Sequence, residues 1–141
     1  MSNPAASEKA TDLRNARRRK ATTPDRIDRL PPHNIESEQG VLGCVLLAPN
    51  ECLSLCIEKF TPGAEVFYDL RHQTIYDEMV KMADAREPID IITLQQRLKD
   101  GKLLDQIGGI AYLNTLQDSV PSAANLSYYA NYVLERYALR R

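Results

Sequence analysis

The chain has 141 residues, 43% of them hydrophobic, and a formal net charge of −1; that is enough for one domain with a real core and too little for two comfortable ones. The small net charge hides an asymmetry, because residues 1–33 carry eight Lys/Arg against four Asp/Glu and the remainder carry ten against fifteen. A body of net −5 argues against broad duplex binding by the folded part, since nucleic-acid affinity is dominated by neutralising phosphates.

From Met1 to about Leu30 there is no sustained apolar period and no signal-peptide core, and no apolar run anywhere approaches the roughly 20 residues of a membrane span. A cytoplasmic protein is expected. Residues 1–30 predict a disordered basic arm, with Arg17, Arg18, Arg19 and Lys20 set among Ala, Asn, Thr and Pro that cannot bury enough surface to offset ordering. Pro31-Pro32 closes the arm, and residues 31–141 are expected to form the domain.

Asn34 can cap the first helix, with Glu36 and Glu38 in the first turn where the helix dipole favours carboxylates. The same residues with His33 could be read as an acid/base cluster, but no nucleophile or cleft signal accompanies them. The helix continues as "GVLGCVLL", where Val41, Leu42, Val45, Leu46 and Leu47 leave no polar face and Gly40, Gly43 and Cys44 are small. A helix apolar all round is surrounded, so this one should be central. Pro49 ends it, and "NECLSLCIEKF" restarts a short helix with Cys52, Leu53, Cys56, Ile57 and Phe60 inward. The three cysteines, Cys44, Cys52 and Cys56, fit buried thiols in a reducing compartment better than a disulfide framework. Cys52 and Cys56 share a helix face, yet a metal site would lack a C-x-x-C pair and a clear fourth ligand.

"TPGAEVFYD" is the next break, after which Asp69 can cap a third helix carrying His72, Ile75, Tyr76, Met79, Met82 and Ala83 at helical spacing. His72, on an apolar stripe beside Phe67 and Tyr68, reads as a hydrogen-bonded histidine at the core edge rather than a ligand. Pro88 marks a loop, and either Asp90 or Thr93 opens the fourth helix, the latter with Gln96 in the T-x-x-Q pattern of a capping box. Ile91, Leu94 and Leu98 form its buried stripe. A Gly-Lys pair at Gly101-Lys102 and a Gly-Gly pair at Gly108-Gly109 follow. They do not make a phosphate loop: position 96 is Gln, Leu103 stands where the hydroxyl residue belongs, and the preceding segment is helical rather than a strand. Gly101 reads instead as a left-handed helix stop, and Gly108-Gly109 as a flexible lead into the helix "IAYLNTLQDSV".

Pro121 stops that helix, and "SAANLSYYANYVLERYALRR" starts the last with Ser122 as cap. Leu126, Ala130, Val133 and Tyr137 follow one face, and Tyr128, Tyr132 and Leu139 another roughly 150° away at about 100° per residue. A helix packed only on its own domain needs one apolar face, so the second implies an association surface for another helix or subunit. The plainer reading is a pair of exposed tyrosines on a solvated helix.

The blocks "PPHNIESEQGVLG", "VFYDLRHQTIYDEM", "PIDIITLQQRL", "LLDQIGGIAYL" and "VPSAANLSYYANYVLER" resemble, in order and spacing, the N-terminal domain of bacterial replicative DnaB-type DNA helicases. The resemblance covers about residue 31 to the end. It implies an all-α fold: a compact bundle of about six short helices whose long C-terminal helix begins a helical hairpin. In that family the hairpin forms the collar of a ring hexamer and the domain docks the primase C-terminal domain, with helicase loaders engaged in some relatives. Self-association as a dimer or hexamer collar is thus implied. DNA unwinding with ATP and Mg²⁺ belongs in that family to a RecA-like motor domain after this region, which this sequence does not include. The chain itself is therefore expected to be non-catalytic and to hold no cofactor or metal, its last residues falling about where the first hairpin helix ends. The alternative is a nucleic-acid-binding module acting through Arg17, Arg18, Arg19 and Lys20.

Overall fold

The structure is a computed structural model and describes residues 31–141; the basic arm expected over residues 1–30 lies outside the described residues. Among the described residues, six α-helices and one 3₁₀ turn follow in the order α1 (Ile35–Leu47), α2 (Pro49–Lys59), the 3₁₀ turn (Gly63–Val66), α3 (Leu70–Asp84), α4 (Ile91–Asp100), α5 (Gly109–Asp118) and α6 (Leu126–Arg140). No strand occurs among the described residues, so the all-α class and the six helices stand as expected. No helix among them is long and apolar enough to cross a membrane.

Three helices begin on local side-chain chemistry. Asn34 is extended, and its side-chain oxygen accepts the Ser37 N–H at 2.9 Å. Asp69 accepts the Arg71 N–H at the head of α3. At α4 Asp90 is the cap and Thr93 is the third helical residue: Asp90 accepts the Ile92 and Thr93 N–H groups while Thr93 Oγ accepts the Asp90 N–H. Thr93 is thus the far half of a box and does not open the helix with Gln96, which instead bonds Asp100. Pro49 opens α2, where its missing N–H costs nothing.

α1 is the central helix. Val41, Leu42, Gly43, Cys44, Val45 and Leu46 are all buried, each large apolar side chain contributing on the order of 1.5–3 kcal/mol. Gly43 is required by close approach: a Cβ built on it would lie 2.3 Å from the Leu116 carbonyl oxygen of α5 and 2.8 Å from Ser119 Oγ. Phe60, Phe67 and Tyr76 pack ring against ring at one end of the core, with centroids 5.3–5.9 Å apart. Two residues expected inside are exposed. Leu47 ends α1 where the chain turns towards α2, and Ile57 lies on the outer side of α2, whose buried positions are Cys52, Leu53 and Cys56.

The helix ends depart most from expectation. Gly101 is not left-handed (φ −84°); the next residue, Lys102, is, at φ +61°. Lys102 N–H bonds the Lys99 carbonyl and Leu103 N–H reaches back to Leu98, a Schellman closure in which Lys102 holds the position that glycine favours. Arg86 (φ +61°) repeats it after α3, with Arg86 N–H on Ala83 and Glu87 N–H on Met82. Gly108 and Gly109 do adopt positive φ, at +101° and +74°, leading into α5. Ser122 does not cap the last helix. Its Oγ accepts the Ala124 N–H in a turn, and α6 begins at Leu126 after Asn125, which makes no side-chain cap bond.

Candidate association surface

On α6 the first apolar face folds inward: Leu126, Ala130 and Val133 are buried, and Tyr129 lays its ring over Gly40 of α1. Tyr137, on the same side, is half-buried and donates its hydroxyl to the Glu65 carboxylate, which pushes the phenol upward from its ordinary range. The second stripe faces out. Tyr128 is 61% and Leu139 59% exposed, with Tyr132 between them half-buried. The Tyr128 and Tyr132 rings meet edge to face with centroids 5.1 Å apart and hydroxyls 3.5 Å apart. The two tyrosines therefore form one amphipathic step, beside Asn131 and Glu135.

A polar network inside the domain escaped the sequence. Glu38 is buried, and its carboxylate accepts the Tyr68 N–H at 2.6 Å and the Asp69 N–H at 3.2 Å while lying 2.7 Å from His72 Nδ1. His72 Nε2 is 2.6 Å from the Tyr112 hydroxyl, which also accepts from Gln39 Nε2 at 3.1 Å. All partners are satisfied when the Tyr112 proton goes to Nε2 and the Nδ1 proton to Glu38. Arg71, forked onto Asp69, lies 4.1 Å over the Tyr112 ring. His72 is thus hydrogen-bonded as expected, though wholly buried rather than at the core edge. Of the residues weighed as an acid/base cluster, Glu38 is absorbed here, His33 stacks on Tyr68 at 4.2 Å, and Glu36 is exposed. A lone histidine on an apolar stripe signals a buried partner, but spacing does not say which carboxylate.

The thiols are buried, and desolvation pushes Cys44 up to about 11, Cys56 to about 12 and Cys52 upward. Such thiols are poor nucleophiles and poor ligands. Around the two glycine pairs the backbone donors are already used: Gly101, Lys102 and Leu103 N–H bond Arg97, Lys99 and Leu98, and Gly108 and Gly109 bond Asp105 and Leu104. A phosphate cradle needs such groups free. Arg17, Arg18, Arg19 and Lys20 lie outside the described residues.

The family model for the DnaB-like helicase N terminal domain matches residues 30–135. Replicative DNA helicase DnaC of Bacillus subtilis (strain 168) is 46% identical over 114 residues, 81% of this chain and 24% of that protein. Replicative DNA helicase DnaB of Geobacillus stearothermophilus is 45% identical over 114 residues, again 81% and 24%, and that of Treponema pallidum (strain Nichols) 42% over 113 residues, 80% and 25%. The chain therefore spans about a quarter of the length of these curated relatives. The crystal structure of the N-terminal domain of DnaB helicase from Mycobacterium tuberculosis superposes with a TM-score of 0.74 at 38% identity, covering 79% of this chain and 75% of that one.

Proposed function

The chain belongs to the DnaB-like helicase N-terminal domain family, and from that premise we propose that it is the non-catalytic collar module of a cytoplasmic replicative helicase. Its task in this reading is association. The face of Tyr128, Tyr132 and Leu139 packs against another helix of the parent protein or against a second subunit, and the acidic body offers docking surface to a primase C-terminal domain and to helicase loaders. ATP hydrolysis with Mg²⁺, and movement on DNA, belong to the motor domain of the parent.

The observation that carries the reading is the outward stripe of α6, where large side chains stay in water although the helix already has a buried face. Aromatic residues near the centre of an interface typically carry about 2 kcal/mol or more each. Tyr128→Ala with Tyr132→Ala should leave the circular dichroism of this chain unchanged and weaken self-association in sedimentation, here and in protein that includes the motor. Unfolding would assign the tyrosines to the core; a folded variant with unaltered association in both contexts would make the face ordinary surface. A second reading, nucleic-acid binding by Arg17, Arg18, Arg19 and Lys20, is favoured by the basic excess of residues 1–33. It requires binding that falls steeply with salt and vanishes when residues 1–30 are deleted.

A further inference from the structure

The fully buried anchoring of α6 stops at Val133. Beyond it no side chain of the helix is fully buried: Leu134 and Tyr137 pack half-buried against the core and Leu139 is exposed. Two helical turns packed only in part are marginal in water, so polar contacts add to what holds this end. Tyr137 reaches Glu65, and Arg140 does more. Its Nη1 donates to the Pro32 carbonyl at 3.0 Å and its Nη2 to the Val66 carbonyl at 2.8 Å. The same guanidinium lies 5.5 Å from the Tyr68 ring, on which His33 is stacked, and 5.6 Å from the Tyr137 ring. Pro32 precedes α1 and Val66 closes the 3₁₀ turn, so one side chain joins three separate segments.

We propose that Arg140 is a latch: a positioning residue that fixes the last two turns of α6 on the domain and thereby keeps Leu139 in one surface with Tyr128 and Tyr132. Only the second half of this statement rests on the association reading above. Arginine suits the task because a planar fork serves two carbonyls at once while its faces lie against aromatic rings. A lysine ammonium in the same place would have to serve both carbonyls from a single nitrogen and offers no flat face.

Amide hydrogen exchange of the 141-residue chain tests the latch. Arg140→Ala should accelerate exchange over residues 134–140 by about tenfold or more, the consequence of losing charge-assisted bonds at a helix end, while the amides of residues 41–46 stay as slow as before. Arg140→Lys should fall between. Self-association of Arg140→Ala, measured in parallel, should weaken severalfold, whereas Tyr128→Ala with Tyr132→Ala should weaken association and leave exchange at 134–140 slow. Unchanged exchange at 134–140 in Arg140→Ala, or acceleration shared equally with residues 41–46, overturns the latch. Association lost in the tyrosine variant but intact in Arg140→Ala overturns its positioning role. Association intact in the tyrosine variant sinks the association reading, and the exchange result alone then decides the latch.

Discussion

Glu38 Oε1 and His72 Nδ1 lie 2.7 Å apart across 34 residues of sequence, with both side chains shut away from solvent. The carboxylate also accepts two backbone N–H groups at the start of α3, so α1 and α3 are joined through one buried charge. Glu38→Ala should cost several kcal/mol, about 1–3 kcal/mol for each buried donor left without a partner, because it orphans His72 Nδ1–H and two backbone N–H groups together. Chemical denaturation measures it. A loss below about 1 kcal/mol would mean that water replaces the carboxylate and that the network is peripheral to stability.

Gly43 offers a sharper steric test. Since even a single methyl would sit 2.3 Å from the Leu116 carbonyl, Gly43→Ala should already destabilise by about 1–3 kcal/mol, and Gly43→Leu by more, despite the gain in helix propensity that alanine brings. A more stable Gly43→Ala chain would show that α1 and α5 do not cross there.

Lys102 and Arg86 stand in left-handed conformation at exposed helix ends. Lys102→Gly and Arg86→Gly should each stabilise the chain by about 1 kcal/mol, the strain relieved outweighing the added freedom of the unfolded chain. Thermal melting of the single variants checks this. A lowered midpoint in both would mean that the side chains make contacts worth more than the strain.

Asp69 gives a pH dependence. The hydrogen bonds from the Arg71 side chain hold its carboxyl below the ordinary range. The folded state therefore binds fewer protons than the unfolded one just below the ordinary carboxylate value of about 4. Its contribution is present above that value and is lost as pH falls through the lower, folded value. Asp69→Asn keeps a capping oxygen but not the charge, so denaturation curves of the two chains should differ most near neutrality and converge in acid. Parallel curves from pH 7 to pH 2 would contradict the assignment.

What the sequence determined by itself is what short-range physics controls. Asn34 and Asp69 begin helices because the bonds they make span only two or three residues, and α1 is central because no register of an all-apolar helix can face water. The family, too, was legible, because five blocks keep their spacing along the chain. Tertiary structure alone decided the rest. Which carboxylate meets His72 depends on how α1, α3 and α5 converge; the exposure of Ile57 and Leu47 depends on where neighbouring helices stop covering them. The left-handed residue after α4 is Lys102 rather than Gly101 because the Schellman closure brings Leu103, half-buried against the core, back over Leu98, and that closure sets the register of the turn. Arg140 found its two carbonyls for the same reason. Pro32 and Val66 become neighbours only when the bundle has closed, and no spacing along the chain announces it.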